Sequence, residues 1–453
     1  MNEKAPTDGS SGGSSAVDEV VGLVSRLIQF DTSNTGELET TKGEAECARW
    51  VQQQLEEVGY ETEYLESGQP GRGNVFATLA GSDRSRGKLL LHSHLDVVPA
   101  EPADWSVHPF SGSVEDGYIW GRGAIDMKDM VGMALALARQ FKRDGTLPPR
   151  DIVFAFLADE EAGGKWGSHW LVQNRPDLFE GVTEAVGEVG GFSLTVDRPD
   201  GTHKRLYLVE TAEKGIAWMK LTATATAGHG SFLHEDNAVT ILSEAVARLG
   251  RHRFPLVMTE SVSQFLAAVS EETGLNLDPD SPDLDTALFK IGPIARIIGA
   301  TLRDTANPTM LQAGYKANVI PQTATAVVDC RVLPGRQAAF ESEVDELIGP
   351  NVTREWVTKL DSYETTFDGD LVDAMNAAVL AHDPEGRTVP YMLSGGTDAK
   401  AFARLGIRCF GFAPLKLPTD LDFAALFHGV DERVPVESLL FGTEVLEHFL
   451  MHS

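Results

Sequence analysis

Cysteine is scarce: three residues in 453, Cys47, Cys330 and Cys409, far apart and odd in number. No C-x-x-C pair occurs, so no disulfide framework is suggested, and buried reduced thiols of a cytosolic enzyme are expected. Basic residues are also few. Thirty-eight Lys and Arg stand against 67 Asp and Glu, a formal charge of −29. A chain this acidic repels phosphate backbones and anionic lipid, so neither nucleic acid nor a membrane surface is an expected partner. There is no run of about 18 apolar residues. The segment MNEKAPTDGSSGGSSAV lacks the basic start and apolar core of a secretory leader, so a cytoplasmic location is expected. No G-x-S-x-G turn follows a strand, and no dinucleotide or Walker pattern is present, which disfavours serine hydrolysis and phosphate cradling. What remains is ordinary: 42% apolar and 23% charged residues, the balance of a folded globular chain.

Hydrophobic patterning divides the chain. Residues 1–15 are Gly/Ser-rich and polar, which predicts a disordered tail. Val20, Val21, Val24, Leu27 and Ile28 recur at helical steps, and a second helix is expected over Glu44–Val58. Short apolar runs follow at Val75–Leu79, Lys88–Leu91, Ile152–Leu157 and Ala185–Val189, separated by helical patterns at Met130–Arg143 and Trp166–Gln173. Continuous apolar strands alternating with helices predict an α/β sheet covered on both faces. Near Glu210 the character changes. Strands at Ile216–Ala225, Thr323–Val332 and Val352–Ser362, with helices at Ala238–Leu249 and Gln337–Ile348, suggest a small α+β, ferredoxin-like sandwich. The expected organisation is a discontinuous α/β catalytic domain, 16–210 and 365–453, with 211–364 inserted as a lid. The Pro- and Asp-rich stretch 254–308 is expected to shape the pocket.

Five segments carry chemistry. LLLHSHLDVVP places His92, His94 and Asp96 at the end of a buried strand, on one face by alternation. An acid two residues after a histidine suits a metal ligand and its carboxylate partner. WGRGAIDMKDM sets Asp126 between a Gly-rich turn and a helix start, where capping is the plain alternative. In IVFAFLADEEAGG, Asp159, Glu160 and Glu161 follow a wholly apolar strand. Packed side by side at a strand end they repel, and a divalent cation removes that cost; a solvated acidic turn is the alternative. AVGEVGGFS holds Glu188 at a strand end, and LFHGVDERVPV holds His428 before a helix. All fall where open α/β sheets place ligands. Oxygen and nitrogen donors without thiolate suit Zn²⁺, Co²⁺ or Mn²⁺. A shared carboxylate suits two ions about 3.5–4 Å apart.

Together, HSHLDVVP, GRGAIDMK, ADEEAGG, GEVGG and FHGVDERVP resemble the dinuclear-zinc metallopeptidase family of aminoacylases, acetylornithine deacetylase, succinyl-diaminopimelate desuccinylase, carboxypeptidase S and cytosolic dipeptidases. The resemblance runs from about residue 18 almost to the end of the chain. It implies two Zn²⁺ per subunit. His94 and Glu188 would bind the first ion, Glu161 and His428 the second, and Asp126 would bridge them. Asp96 would orient His94, Glu160 would act as general base, and His92 would be a bystander. Asp129 stands where the family commonly has Gly, which bears on the helix start and not on a ligand. The inserted domain offers His229 in a Gly-His-Gly-Ser turn, resembling a family histidine that reaches across a homodimer to the substrate carbonyl. Asn318 and Arg331 resemble the family's binders of substrate amide and carboxylate, and Ser394, Gly395, Gly396 and Thr397 form a loop able to line the carboxylate pocket. The function implied is hydrolysis of an amide or peptide bond beside a free carboxylate, in an N-acyl amino acid or short peptide. The alternatives are a dipeptidase or carboxypeptidase, and a non-catalytic dimeric binding protein, disfavoured because no ligand or base is missing.

Overall fold

The computed structural model describes residues 14–278, 281, 284–289 and 294–453. Residues 1–13 of the expected tail lie outside these. Ser15, at the end of that stretch, caps the helix Ala16–Ile28: its hydroxyl accepts the Asp18 N–H, and the Asp18 carboxylate accepts the Ser15 N–H. The stripe buried from this helix is Val20, Leu23, Val24, Leu27 and Ile28.

The chain forms two compact units. The first comprises the described residues up to Glu188, with Ala377–His382 and Ala413–Ser453. Its sheet runs in the order Thr62–Glu66, Gly73–Leu79, Ile152–Leu157, Lys88–His94, Val182–Gly187. The first two pairings are antiparallel, and the last three strands are mutually parallel. Ile152–Leu157 is buried at every position, as its unbroken apolar run requires. The helix Lys128–Asp144 packs on the parallel strands, and Ala16–Ile28 and Val436–Leu450 pack on that helix, so it is buried almost all round.

The second unit is Val189–Asn376 with Asp383–Phe412. Its spine is the strand His203–Glu213, which pairs antiparallel with Ser193–Asp197 and parallel with Gly386–Leu393. It also holds a four-stranded antiparallel sheet in the order Thr305–Ala313, Thr323–Val332, Gly215–Thr224, Val352–Leu360. Two helices, Ala238–Arg251 and Gln337–Ile348, cover one face, giving the β-α-β-β-α-β order of a ferredoxin-like sandwich. Alternation decides which face: Ala324, Ala326, Val328 and Cys330 point into a core with Met219, Leu221, Leu242 and Phe340. From the stretch 254–308, the helix Glu260–Thr273 packs against the spine strand and its neighbours.

Candidate metal centre

Three parallel strands of the first unit deliver side chains to one edge. His94 closes the Lys88–His94 strand, paired in register with Leu157. Asp159, Glu160 and Glu161 follow Leu157, and Glu188 follows Gly187 on the other side. Asp159 takes a left-handed φ of 70°, and Glu160–Ala162 is a 3-10 turn. Asp126 precedes the helix Lys128–Asp144 but does not cap it; the N-cap is Met127, with no side-chain cap bond. His428 arrives on a loop with φ 56°. A buried ion pair ties its loop to that of Asp126: Arg122 Nη1 meets Glu432 Oε2 at 2.6 Å, Arg122 Nη2 donates to the His428 carbonyl, and the Ile125 N–H donates to Glu432.

The donor atoms converge. His94 Nε2 lies 3.2 Å from Asp126 Oδ1, 3.4 Å from Glu188 Oε2 and 3.9 Å from Glu160 Oε2. The other Asp126 oxygen, Oδ2, is 3.1 Å from His428 Nε2, which is 3.2 Å from Glu161 Oε2. Among the described residues two sets could hold an ion, His94 with Asp126 and Glu161, and His94 with Glu160 and Glu188. Two observations test whether a cation fits. Ligands about 2.0–2.1 Å from a tetrahedral ion stand about 3.3 Å apart, which is the spacing seen. The His94 Nδ1 lies 2.9 Å from the Asp96 carbonyl, which can only accept. Nδ1 therefore carries the proton, and a neutral His94 turns a bare Nε2 lone pair toward carboxylate oxygens that are lone pairs themselves. Only a proton or a cation relieves that contact, so the residues fit a bound divalent cation.

Electrostatics agree. Burial drives the Glu188 carboxyl up to about 8 against the pull of His94. Burial also raises Glu161, with the Asp126 charge adding to it. Burial opposes ionisation of Asp126, yet hydrogen bonds from His428 and His94 hold it well below the usual carboxylate range. His428 is lifted to about 10 by its bonds to Asp126 and Glu161. Burial pulls His94 down, but the Glu188 charge and the bonds to Asp126 and Asp96 reverse this and hold it well above its ordinary value. Protonated imidazoles are here doing what cations would do. His92 is in neither ligand set; burial, then the His94 charge, brings it down to about 3. Its ring fills the space beside Gly187, where a Cβ would stand 2.3 Å from His92 Cε1. Asp129 is inside the helix and buried, its carboxyl pushed up to about 8 by that burial.

The other expected residues belong to the second unit, at two separate places. His229 sits in the short strand Gly228–His229, paired with Val319–Ile320; its Nδ1 is 2.8 Å from Ser231 Oγ, and the Gly230 N–H donates to the Asn318 carbonyl. His229 and Asn318 are therefore neighbours beyond the Thr224/Thr323 end of the four-stranded sheet. Arg331 lies toward the opposite end, across from Ile216, with its fork on Asp329 at 2.7 and 3.2 Å. The eight residue steps from Thr323 to Arg331 span about 26 Å of strand. Ser394–Thr397 is close to Arg331 instead: an added Cβ on Gly396 would lie 3.3 Å from Ile216 Cδ1 and 2.6 Å from Lys400 Cε. The buried Glu213 holds this loop, accepting from the Thr397 N–H at 3.0 Å and hydroxyl at 2.6 Å, and pairing with Lys400 at 2.7 Å. Sequence reasoning gave no role to Glu213, Lys400, Asn34 or Arg72. Arg122 and Glu432 stood inside quoted motifs, but no local signal said that they pair.

An acid-and-imidazole centre at the carboxyl edge of a parallel sheet defines a metal-dependent hydrolase. The profile of peptidase family M20/M25/M40 matches residues 90–452, and the chain belongs to this family. It is similar to an N-fatty-acyl-amino acid synthase/hydrolase (PM20D1) of Xenopus tropicalis, 31% identical over 378 residues, 79% of this chain and 71% of that one. It is also similar to aminoacylase-1 of Sus scrofa, 28% identical over 397 residues, 84% of this chain and 83% of that one. Among solved structures, an M20 family metallo-carboxypeptidase from Sulfolobus solfataricus shares the fold, with a TM-score of 0.70, 17% identity, and coverage of 96% of this chain and 99% of the other. Among the described residues no helix is long and apolar enough to cross a membrane.

Proposed function

We propose that the chain hydrolyses N-acyl amino acids with two Zn²⁺ ions and Glu160 as general base. The observation that carries this reading is Asp126, whose two oxygens face His94 and His428 separately, at 3.2 and 3.1 Å. His94 and Glu188 would hold one ion and Glu161 and His428 the other, with Asp126 available to both. When bound, such a pair lowers the pKa of a water toward about 7 and polarises the amide carbonyl. Glu160 takes the water proton at its carboxylate and returns it to the leaving nitrogen. Asp96 orients His94. Arg331, with the Ser394–Gly395–Gly396–Thr397 loop, grips the substrate carboxylate, competing with Asp329 for the guanidinium. His229 donates to the developing oxyanion, a term worth about 3–4 kcal/mol per good donor.

The span between Arg331 and His229 supports a site completed by a second subunit. The strand Thr305–Ala313 is an exposed edge, with Met310 and Leu311 half uncovered, and suits a homodimer contact. Three buried free thiols suit a reducing cytoplasm. The names of the relatives favour N-acyl amino acids; dipeptides or peptide C-termini are the second reading, because the same carboxylate grip serves them. A panel of N-acyl amino acids, their C-terminal amides and dipeptides decides between the two. Glu160→Gln tests the mechanism: it retains both ions by elemental analysis and loses turnover, whereas full activity rejects the base.

A further inference from the structure

Asp96 does more than face His94. The His94 Nδ1 is 2.9 Å from the Asp96 carbonyl but 3.5 Å from its carboxylate. The closer partners of that carboxylate lie on another segment: Oδ1 accepts the Glu160 N–H and Oδ2 the Glu161 N–H, each at 3.1 Å. Asn34 Nδ2 donates to the same Oδ2 at 2.8 Å and to Asp159 Oδ1 at 3.0 Å. The second Asp159 oxygen accepts the Trp166 N–H. The Asn34 carbonyl is satisfied in turn by Arg72 Nη2, the Gly36 N–H and the Thr41 hydroxyl. Arg72 spans Glu44 at 2.7 Å and Asp159 at 3.0 Å. Asn34 is 3% exposed, Arg72 3%, Asp159 1%, and Asp96 and Glu44 0%.

Two acids, Asp96 and Asp159, meet at one buried amide. Only a group offering two N–H donors on one side and an acceptor on the other satisfies both carboxylates and Arg72 together. Asp159 also holds a left-handed backbone, which a non-glycine residue keeps only when its surroundings over-determine it. We propose that Asn34 is a positioning residue: its amide locks Asp96 to Asp159 and thereby sets where Glu160 and Glu161 stand over the centre. The proposal rests on the reading of Glu160 as base and Glu161 as ligand, and it assigns a task to a residue outside the five motif segments.

The test uses the full chain with Asn34→Ala and Asn34→Asp. Asn34→Asp keeps the size and the acceptor for Arg72 but removes both donors, so it carries the test if Asn34→Ala does not fold. Zn²⁺ is titrated into metal-free protein, and kcat and KM are measured separately on an N-acyl amino acid. The expected result is Zn²⁺ affinity reduced about 10- to 100-fold, with kcat reduced and KM little changed. Wild-type zinc affinity and kcat in folded Asn34→Asp would overturn the proposal, because donors would then be dispensable. Zinc affinity reads the placement of the ligands that Asp96 touches, Glu161 and His94, and not that of Glu160. It therefore judges Asn34 even if Glu160→Gln proves active and the base assignment falls.

Discussion

Filling the centre must expel protons. In the metal-free chain at pH 7, His428, at about 10, carries a proton. His94 and Glu188, which face each other at 3.4 Å and are both raised, share a second proton between them. Ions bind neutral imidazoles and ionised carboxylates, so about two protons leave. Each costs about a factor of ten in apparent affinity per pH unit, so affinity for the pair of ions falls about 100-fold from pH 7 to pH 6. Calorimetric Zn²⁺ titration in buffers of different ionisation enthalpy reads the number directly, as the slope of observed heat against buffer heat. A slope near zero refutes the reasoning, because the donor atoms would then face one another without protons. The same shifts fix the sign of metal-free stability. His428 is raised in the folded state, so its contribution is complete below its ordinary value of 6.5 and is lost as pH rises through about 10. Glu188, also raised, costs stability as pH climbs from 4.5 through about 8. Metal-free protein should melt at a lower temperature at pH 9 than at pH 6.5, with the difference reduced when Zn²⁺ is bound.

Three further outcomes are expected. Arg122→Met leaves Glu432 buried without its partner and should cost about 3–5 kcal/mol in urea unfolding; a loss below about 1 kcal/mol would mean that solvent reaches the carboxylate. Gly187→Ala drives a Cβ to 2.3 Å from His92 Cε1, so stability should fall by about 1–3 kcal/mol and zinc affinity with it, since Glu188 is the next residue; unchanged zinc binding would separate the strand end from the centre. If His229 completes the site of a second subunit, mixing inactive Glu160→Gln with inactive His229→Ala should restore activity in roughly a quarter of the sites. Inactivity after subunit exchange would place both residues in one chain.

Much of the architecture was legible because burial leaves a periodic trace. Ile152–Leu157 is apolar at every step because helices and neighbouring strands cover both its faces. Thr323–Val332 alternates because one face meets helices and the other does not. The strands Thr62–Glu66, His203–Glu213 and Thr305–Ala313 went unread. Thr62–Glu66 is half-buried without alternation to an apolar face, Thr305–Ala313 is largely exposed, and His203–Glu213 begins polar and ends in buried acids, so none carries a plain apolar pattern. Asp126 could have been a helix cap on sequence grounds; the backbone makes Met127 the N-cap instead and leaves both carboxylate oxygens for the imidazoles.

By itself the amino-acid sequence determined which residue types stand at the ends of buried strands, and so which chemistry the edge of the sheet could perform. Those features are local, set by side chains a few positions apart on one element. Tertiary structure alone decided that the His94 ring bonds the Asp96 carbonyl more closely than its carboxylate, that Asn34 joins Asp96 to Asp159, and that Arg331 in the four-stranded sheet lies far from His229, which sits in a separate strand pair beyond the other end of that sheet. Asn34 and Asp159 are 125 positions apart, and a hydrogen bond across such a distance imposes no periodicity on either segment. It exists only because a closed, water-free interior forces each buried polar group to find a partner wherever the fold brings one.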